Sequence, residues 1–342
     1  MTIEHITELQ AAATKNIQDI LRHCLKFDPK DNNSALIIFD TNNGLTDIIT
    51  QAYRNNLPQA KFIDFATLNK ESALAEFQTM SPNDLVVLIQ TANFRLDDFR
   101  IRLHLFDKKL KVIEHMHLYR NGEEVWDVYV NSLEYDTNWY PVIAPKLAST
   151  LTQTQTLQIK SKNAKLEVKN GLEVPKLNIG DYTGMNNIGG TFPIGEVFTE
   201  SKNFEDMNGS VWIYAFADKK FNISMHEPFR IDIANGIVIG YGDNTPQMFI
   251  EVLNTVRESE QSLIREIGFG LNRAITKDKY LGDITAFERI LGLHMSMGEK
   301  HSVYKKEGII SKKSRFHVDL FLAVDQVLCD DKVIFENGKY KL

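Results

Sequence analysis

The sequence predicts an α/β protein with an N-terminal open α/β domain and a C-terminal mixed α+β domain. Three observations predict it. Short apolar runs alternate with helical stretches over roughly residues 30–145, the pattern of an open sheet with crossover helices. After about residue 150 the pattern changes to short strand-like pieces. All the residues best suited to hold a metal fall in that second half, so the expected domains are 1–148 and 149–342.

Residues 1–27 read as an amphipathic helix, because Ile6, Leu9, Ile17, Ile20, Leu21 and Leu25 recur near a helical period. The run Ala35 to Phe39 enters the polar turn DTNNG, and a helical stretch follows to about Asn56. A short apolar run before a Gly-containing turn suits a buried parallel strand feeding a helix. Further strands are expected at Lys61 to Phe65, Asp84 to Ile89 and Lys111 to Leu118. The Asp40 to Gly44 segment lacks the glycine spacing and the Lys-Ser/Thr pair of a phosphate loop, so it reads as a structural turn.

In the second half, strands are expected at Thr156 to Lys160, Ala164 to Val168 and Val211 to Phe216. Phe229 to Ile233 and Ile237 to Ile239 flank Ala-Asn-Gly, a hairpin signal. Helical patterns return at 245–262 and 283–291.

Hydrophobic residues make up 43 % of the 342 positions and charged residues 25 %, enough for a large core. A net charge of −6 gives no reason to expect nucleic acid or a membrane surface as partner. Only Cys24 and Cys329 are present, so neither a disulfide framework nor a cysteine metal site is expected. No signal peptide and no membrane-spanning run is recognisable, and the cytoplasm is the expected compartment.

Five side chains carry the chemistry: Glu196 in GGTFPIGEVFT, Glu266 in IREIGFGLN, His294 in GLHMSMG, and His317 and Asp319 in RFHVDLFL. Strand alternation puts His317 and Asp319 on one face, and His294 with Ser296 and Gly298 on one face. A glutamate among apolar neighbours must be solvated, paired or ligating. Taken singly, each has a plainer reading: an edge-strand polar face, a surface glutamate, a helix-end Glu266 paired with Arg265, a hydrogen-bonded core histidine. Metal ligation accounts for all five together, since cations balance three carboxylates. Three carboxylates and two imidazoles can hold two divalent ions that activate a water. The oxygen and nitrogen donors suit Zn²⁺, Co²⁺, Mn²⁺ or Fe²⁺ better than Ca²⁺. His115 and His117 lie in the other half and read as structural or pocket-lining residues.

These four blocks, in this order, resemble the thermophilic-type M29 aminopeptidases over about residues 150–330. GEVFT around Glu196 is similar to the family's Gly-Glu-Val-Phe-Thr block, and EIGFGLN around Glu266 to its Glu-Leu-Gly-Ile-Gly-Thr-Asn block. His294 in GLHMSMG resembles its Gly-Thr-x-His-Ile-Ala-Leu-Gly block, and His317 with Asp319 matches its His-x-Asp pair. The resemblance implies two divalent metals, Glu266 as the bridging carboxylate, and a bridging water that attacks a peptide carbonyl. It implies a homodimer acting on a peptide or small amide.

Three departures accompany it. The family's catalytic tyrosine stands seven residues after the position of His294, where this chain has His301; Tyr304 is the nearby alternative. Glu200-Ser201 replaces a typical Ala-Pro after the first block, which would reshape a substrate-facing loop, and the chain is shorter at its N-terminal side. Iron-dependent dihydroxypyridine ring-opening enzymes of the same broad superfamily have a comparable length. They bind one Fe²⁺ through two histidines and a carboxylate, with His at the position of Glu266 and no counterpart of Glu196. Retention of both glutamates favours the dinuclear hydrolase. A mononuclear iron dioxygenase, a non-catalytic metal-binding scaffold and a specialised small-molecule enzyme are the alternatives.

Overall fold

The computed structural model describes residues 2–28, 33–96, 99–259, 261–298, 304 and 317–342. The chain forms two compact units that interleave in sequence. The first comprises Met1–Thr137, Gly180–Ile194 and Lys277–Ala286; the second comprises Asn138–Ile179, Gly195–Thr276 and Phe287–Leu342. No helix among the described residues is long and apolar enough to cross a membrane.

In chain order the strands are β1 (Ala35–Phe39), β2 (Lys61–Asp64), β3 (Leu85–Ile89), β4 (Lys111–His115), β5 (Leu157–Ser161) and β6 (Ala164–Val168). Then come β7 (Lys176–Asn178), β8 (Ile188–Phe192), β9 (Glu196–Thr199), β10 (Met207–Ala217), β11 (Ile223–Ala234) and β12 (Ile237–Tyr241). The last are β13 (Ile264–Gly270), β14 (Gly292–Gly298), β15 (His317–Leu322), β16 (Gln326–Cys329), β17 (Lys332–Glu336) and β18 (Lys339–Tyr340).

The first unit holds a parallel sheet in the order β2-β1-β3-β4-β8. The central strands β1 and β3 are continuous apolar runs because both faces are covered. Leu36, Ile38, Val86, Leu88 and Val112 pack with Phe77 and Leu105 from helices Lys70–Gln78 and Ile101–Asp107. Alternation turns Ile37, Val87 and Ile113 to the opposite face, and helix Gly44–Asn56 packs on β1 and β3. The four strands expected from the sequence are β1 to β4. The N-terminal helix runs Ile3–Asp19, capped by the Thr2 side chain, and continues as a π turn over Ile20–Cys24. Asp40 closes the turn after β1 as a structural residue, accepting from the backbone N–H of Asn42 at 3.1 Å and of Thr91 at 2.7 Å. His115 is fully buried between the hydroxyls of Tyr53 and Tyr129, each 2.9 Å away, a structural placement. Burial drives its pKa down to about 3, so the ring is neutral.

Strand β8 was not expected, because Ile-Gly-Gly-Thr-Phe lacks a β-branched run. Its glycine is what permits the pairing: at Gly189, with φ +110°, a Cβ would stand 1.9 Å from the Val112 carbonyl oxygen.

The second unit is an antiparallel sheet in the order β18-β17-β16-β5-β6-β10-β15-β14-β13-β9-β7, with β11 also paired to β10 and β12 paired to β11. The expected hairpin forms: β11 turns into β12 through Asn235 and Gly236, at φ +52° and +73°. The expected strands β5 and β6 also pair with each other. The helix expected over 245–262 is Gln247–Ser259. The one expected over 283–291 shrinks to Ile284–Phe287. Its remaining backbone bonds elsewhere: the Arg289 carbonyl accepts from Asn272 N–H, and Leu291 N–H donates to the Ile275 carbonyl. Tertiary hydrogen bonds thus end the helix where periodicity would extend it.

Replacing Gly189 with alanine should lower the urea midpoint of unfolding by the equivalent of about 1–3 kcal/mol. Gly190→Ala should change it little, since a Cβ there meets nothing within 4 Å.

Candidate metal centre

The four candidate blocks lie on four neighbouring strands, in the order β15-β14-β13-β9. Register then selects what meets. Glu266 stands opposite Ser296, Ser296 opposite Asp319, Gly268 opposite His294, Gly298 opposite His317, and Gly270 opposite Glu196. Directly paired residues share a face, so Glu196, Glu266, His294, Ser296, His317 and Asp319 all project from one side. The other side carries Val197, Ile267, Phe269, Met295, Val318 and Leu320, all buried. β15 is a central strand, which replaces the edge-strand reading of His-Val-Asp, and Glu266 sits in a strand rather than at a helix end. Arg265 turns elsewhere, its Nε donating to the Gly298 carbonyl at 3.3 Å.

The glycines of EIGFGLN make room for the cluster. A Cβ on Gly268 would fall 2.1 Å from His294 Cε1, so only glycine lets that imidazole lie across the neighbouring strand. Phe321 closes the ring's other side, with centroids 5.7 Å apart.

Glu196, Glu266, His294 and Asp319 are at most 4 % exposed. His294 Nε2 lies 3.2 Å from Glu196 Oε1 and 3.6 Å from Glu266 Oε1. Neither nitrogen of His294 makes a hydrogen bond, and neither does Glu196 Oε1. Ligands bound to one tetrahedral ion at about 2.1 Å stand about 3.4 Å apart. The spacing is that of donors close enough to share one ion. Ligand atoms of Glu196, Glu266 and His294 fall within 4.8 Å of one another, and so do those of Glu288, His294 and Asp319. These residues fit a divalent cation: hard carboxylate oxygens, an imidazole, and buried polar atoms left unsatisfied.

The surroundings hold the donors in place. Arg289, buried, donates to Glu196 Oε2 and reaches Glu288 Oε1 at 3.1 Å. Ser296 Oγ donates to Asp319 Oδ1 at 2.6 Å and lies 3.4 Å from Glu266 Oε1. His317 Nε2 lies 3.1 Å from Asp319 Oδ1.

Protonation follows this charge density. Burial opposes charge on His294, but Glu196, Glu266 and Asp319 outweigh it and hold the pKa well above 6.5. At His317 burial is again overcome, chiefly by Asp319, and the pKa rises to about 10. Burial would raise Asp319, yet His317, His294 and Ser296 bring it down to about 2. Burial would likewise raise Glu196, yet Arg289 and His294 hold it below its ordinary value. Glu288 goes the other way: burial, with Glu196 and Asp319 adding to it against Arg289, pushes it up to about 8. Protons on the imidazoles occupy the electrostatic role a metal would take.

Of the five sequence-derived candidates, Glu196, Glu266, His294 and Asp319 fall in the groups of close ligand atoms and His317 stands beside Asp319; Glu288 and Arg289 join them unforeseen. Their signal was faint, because FERIL reads as one turn of an ordinary helix with a solvated Glu-Arg pair. His301 lies outside the described residues. Tyr304 is buried, and its hydroxyl lies 3.0 Å from the Val174 carbonyl oxygen and 3.2 Å from that of Phe198. Burial, with Glu200 and Glu266 adding to it, raises its pKa far above 10. Glu200 and Ser201, after β9, are buried. His117 pairs in the first unit with Asp283, Nδ1 to Oδ1 at 3.0 Å.

A scan against protein-family models finds no match, and a search of curated proteins finds none either. Solved structures do share the fold. A 2,5-dihydroxypyridine dioxygenase from Pseudomonas putida KT2440 superposes with a TM-score of 0.65 at 15 % identity, covering 97 % of each chain. Wild-type AmpT from Thermus thermophilus gives 0.63 at 12 % identity, covering 97 % of this chain and 99 % of its own.

Two outcomes follow. Gly268→Ala should displace the His294 ring and lower bound metal, measured by elemental analysis on protein whose circular dichroism is unchanged. In chelator, stability should fall as pH rises from 6.5 towards 10. The stability that protonated His317 contributes is fully present below its ordinary 6.5 and lost through its folded value of about 10. Glu288 acts with the same sign from 4.5 through about 8, since its folded form also holds the extra proton. Urea midpoints across that range check this, and a midpoint that rises with pH would contradict it. A saturating divalent ion should flatten the fall by replacing the protons.

Proposed function

We propose that this chain is a metal-dependent hydrolase of aminopeptidase type, cleaving amide bonds in peptides or small amides. The observation that carries the reading is the buried convergence of Glu196, Glu266 and His294, whose ligand atoms all lie within 4.8 Å of one another. Its carboxylate-rich character agrees with the four motif blocks. The fold shared with AmpT supports the same reading at the level of architecture.

Glu196, Glu266 and His294 would hold one divalent ion, and Glu288 and Asp319, with His317 alongside Asp319, would hold a second. Zn²⁺, Co²⁺ and Mn²⁺ suit these donors. A metal in this position polarises a carbonyl and makes a bound water acidic near neutral pH.

The chain's own groups do the rest. Glu266 is the proposed bridging carboxylate and proton acceptor, aligned by its register against Ser296. Ser296 fixes the Asp319 carboxylate by donating to Oδ1. Arg289 holds Glu196 and keeps it ionised. His317, with its side chain 36 % exposed, is the most accessible of the five and is placed to exchange a proton with substrate or solvent. The proposed proton donor to the leaving group is His301 or Tyr304. The Tyr304 hydroxyl would have to leave the Val174 and Phe198 carbonyls to serve. A homodimer in the cytoplasm completes the proposal.

A second reading, a mononuclear Fe²⁺ ring-cleaving dioxygenase, is favoured by one observation: likeness to the dihydroxypyridine dioxygenase spans 97 % of both chains. It must accommodate Glu196 and Glu266 in a site otherwise suited to two histidines and one carboxylate.

Metal analysis of untagged protein, combined with an aminoacyl-amide panel and oxygen-uptake measurement, separates the two. The hydrolase predicts amide cleavage without oxygen consumption, and a loss of at least about 100-fold in kcat for Glu266→Gln with the fold retained. One iron per chain with oxygen uptake and no amide cleavage would overturn it.

A further inference from the structure

A separate recess opens in the first unit at the carboxyl ends of β3 and β4, where open parallel sheets commonly take their ligands. Its volume is about 330 Å³, within the range that holds a small molecule. Gln90 and Met116 follow the two strands into it, and Arg95, Arg100 and Arg102 line it from the connecting segment.

The three guanidinium groups are not equivalent. Arg102 is neutralised: its Nη1 donates to Oε2 of the buried Glu114 at 2.6 Å and to Thr191 Oγ1 at 3.1 Å. Arg95 and Arg100 have no ion-pair partner among the described residues, and their neighbours Asp97 and Asp98 lie outside them. Exposed arginines alone would signify little.

Gln90 supplies the independent observation. It is 3 % exposed, and its Oε1 accepts from Phe94 N–H at 2.8 Å, which fixes the amide orientation. Its Nε2 is then a buried donor with no hydrogen-bond partner. Leaving such a donor unpaired is costly unless a ligand supplies the acceptor. On the same wall Asn93 Oδ1 is buried and unpartnered, and rotation of that amide would offer a second donor. The remaining wall is apolar: Leu88, Phe94, Phe99 and Leu103, with Phe94 held by stacking on Phe65 at 3.9 Å.

We infer that this recess binds a small organic anion, a carboxylate or phosphate monoester on an apolar body. Arg95 and Arg100 meet its charge, Gln90 Nε2 donates to one of its oxygens, and the apolar body lies against Phe94 and Phe99. The site shares no residue with the metal cluster and does not depend on the proposed hydrolase activity.

Titration calorimetry on the full metal-loaded chain tests it, with phenyl phosphate, benzoate and inorganic phosphate as probes. At least one aryl anion should bind, more tightly than inorganic phosphate. R95Q/R100Q should weaken it by about tenfold or more, since charge-assisted hydrogen bonds are lost. Gln90→Glu, which keeps the acceptor for Phe94 N–H but repels an anion, should weaken it as well, and R100Q alone serves if either variant folds poorly. Tighter binding of phenyl phosphate would identify a phosphate ligand, and tighter binding of benzoate a carboxylate. Glu266→Gln should leave the affinity unchanged. No binding of either aryl anion, equal binding of inorganic phosphate, affinity unaffected by R95Q/R100Q, or loss in Glu266→Gln would each overturn the inference.

Discussion

Charge compensation on one buried sheet face is the constraint from which the rest of the second unit follows. Glu196, Glu266 and Asp319 are all almost fully buried. Moving one ionised carboxylate from water into such surroundings costs several kcal/mol, of order 20 in the idealised low-dielectric limit. Three together are tolerable only with cations among them. Arg289 is one that is always present, and the protonated imidazoles of His294 and His317 provide more. His294 Nδ1, buried without a hydrogen-bond partner, shows that internal pairing still leaves the cluster incomplete.

The sheet pattern is what makes so dense a cluster possible. Antiparallel register brings Glu266, Ser296 and Asp319 into one row across three strands, and Gly268 with His294 and Phe321 into the next. A rigid ladder holds each side chain to one face, and the apolar opposite face anchors the ladder in the core. Preorganisation of this kind fixes ligand positions before any ligand arrives. The first unit uses a parallel sheet to a different end. Its strand ends carry Asp40, Gln90 and, nearby, Arg95, Arg100 and Arg102, and these polar groups close turns or line a recess instead of building a carboxylate cluster.

Much of this was legible in the chain. Period-two alternation placed His317 with Asp319 and His294 with Ser296, and both pairs do share a face. Continuous apolar runs marked β1, β3 and β4, and Asn235-Gly236 marked the hairpin turn. What was not legible had a physical reason in each case. Strand β8 is built from glycines, so it carries no side-chain pattern, and its existence depends on the contact with Val112. Glu288 and Arg289 sit in a helical period that long-range backbone bonds to Asn272 and Ile275 cut short.

By itself, then, the sequence determined the types of element and the chemistry of the donors, because both depend on local periodicity and on the identity of single side chains. Only the tertiary structure decided that β15, β14, β13 and β9 are neighbours, that the interleaved segments 180–194 and 277–286 belong to the first unit, and that Arg289 enters the cluster. Those facts depend on strand register and on contacts between residues far apart in the chain, such as His117 and Asp283, 166 positions apart. No local pattern encodes a register. It is set where burial of one face and pairing of the other are satisfied together.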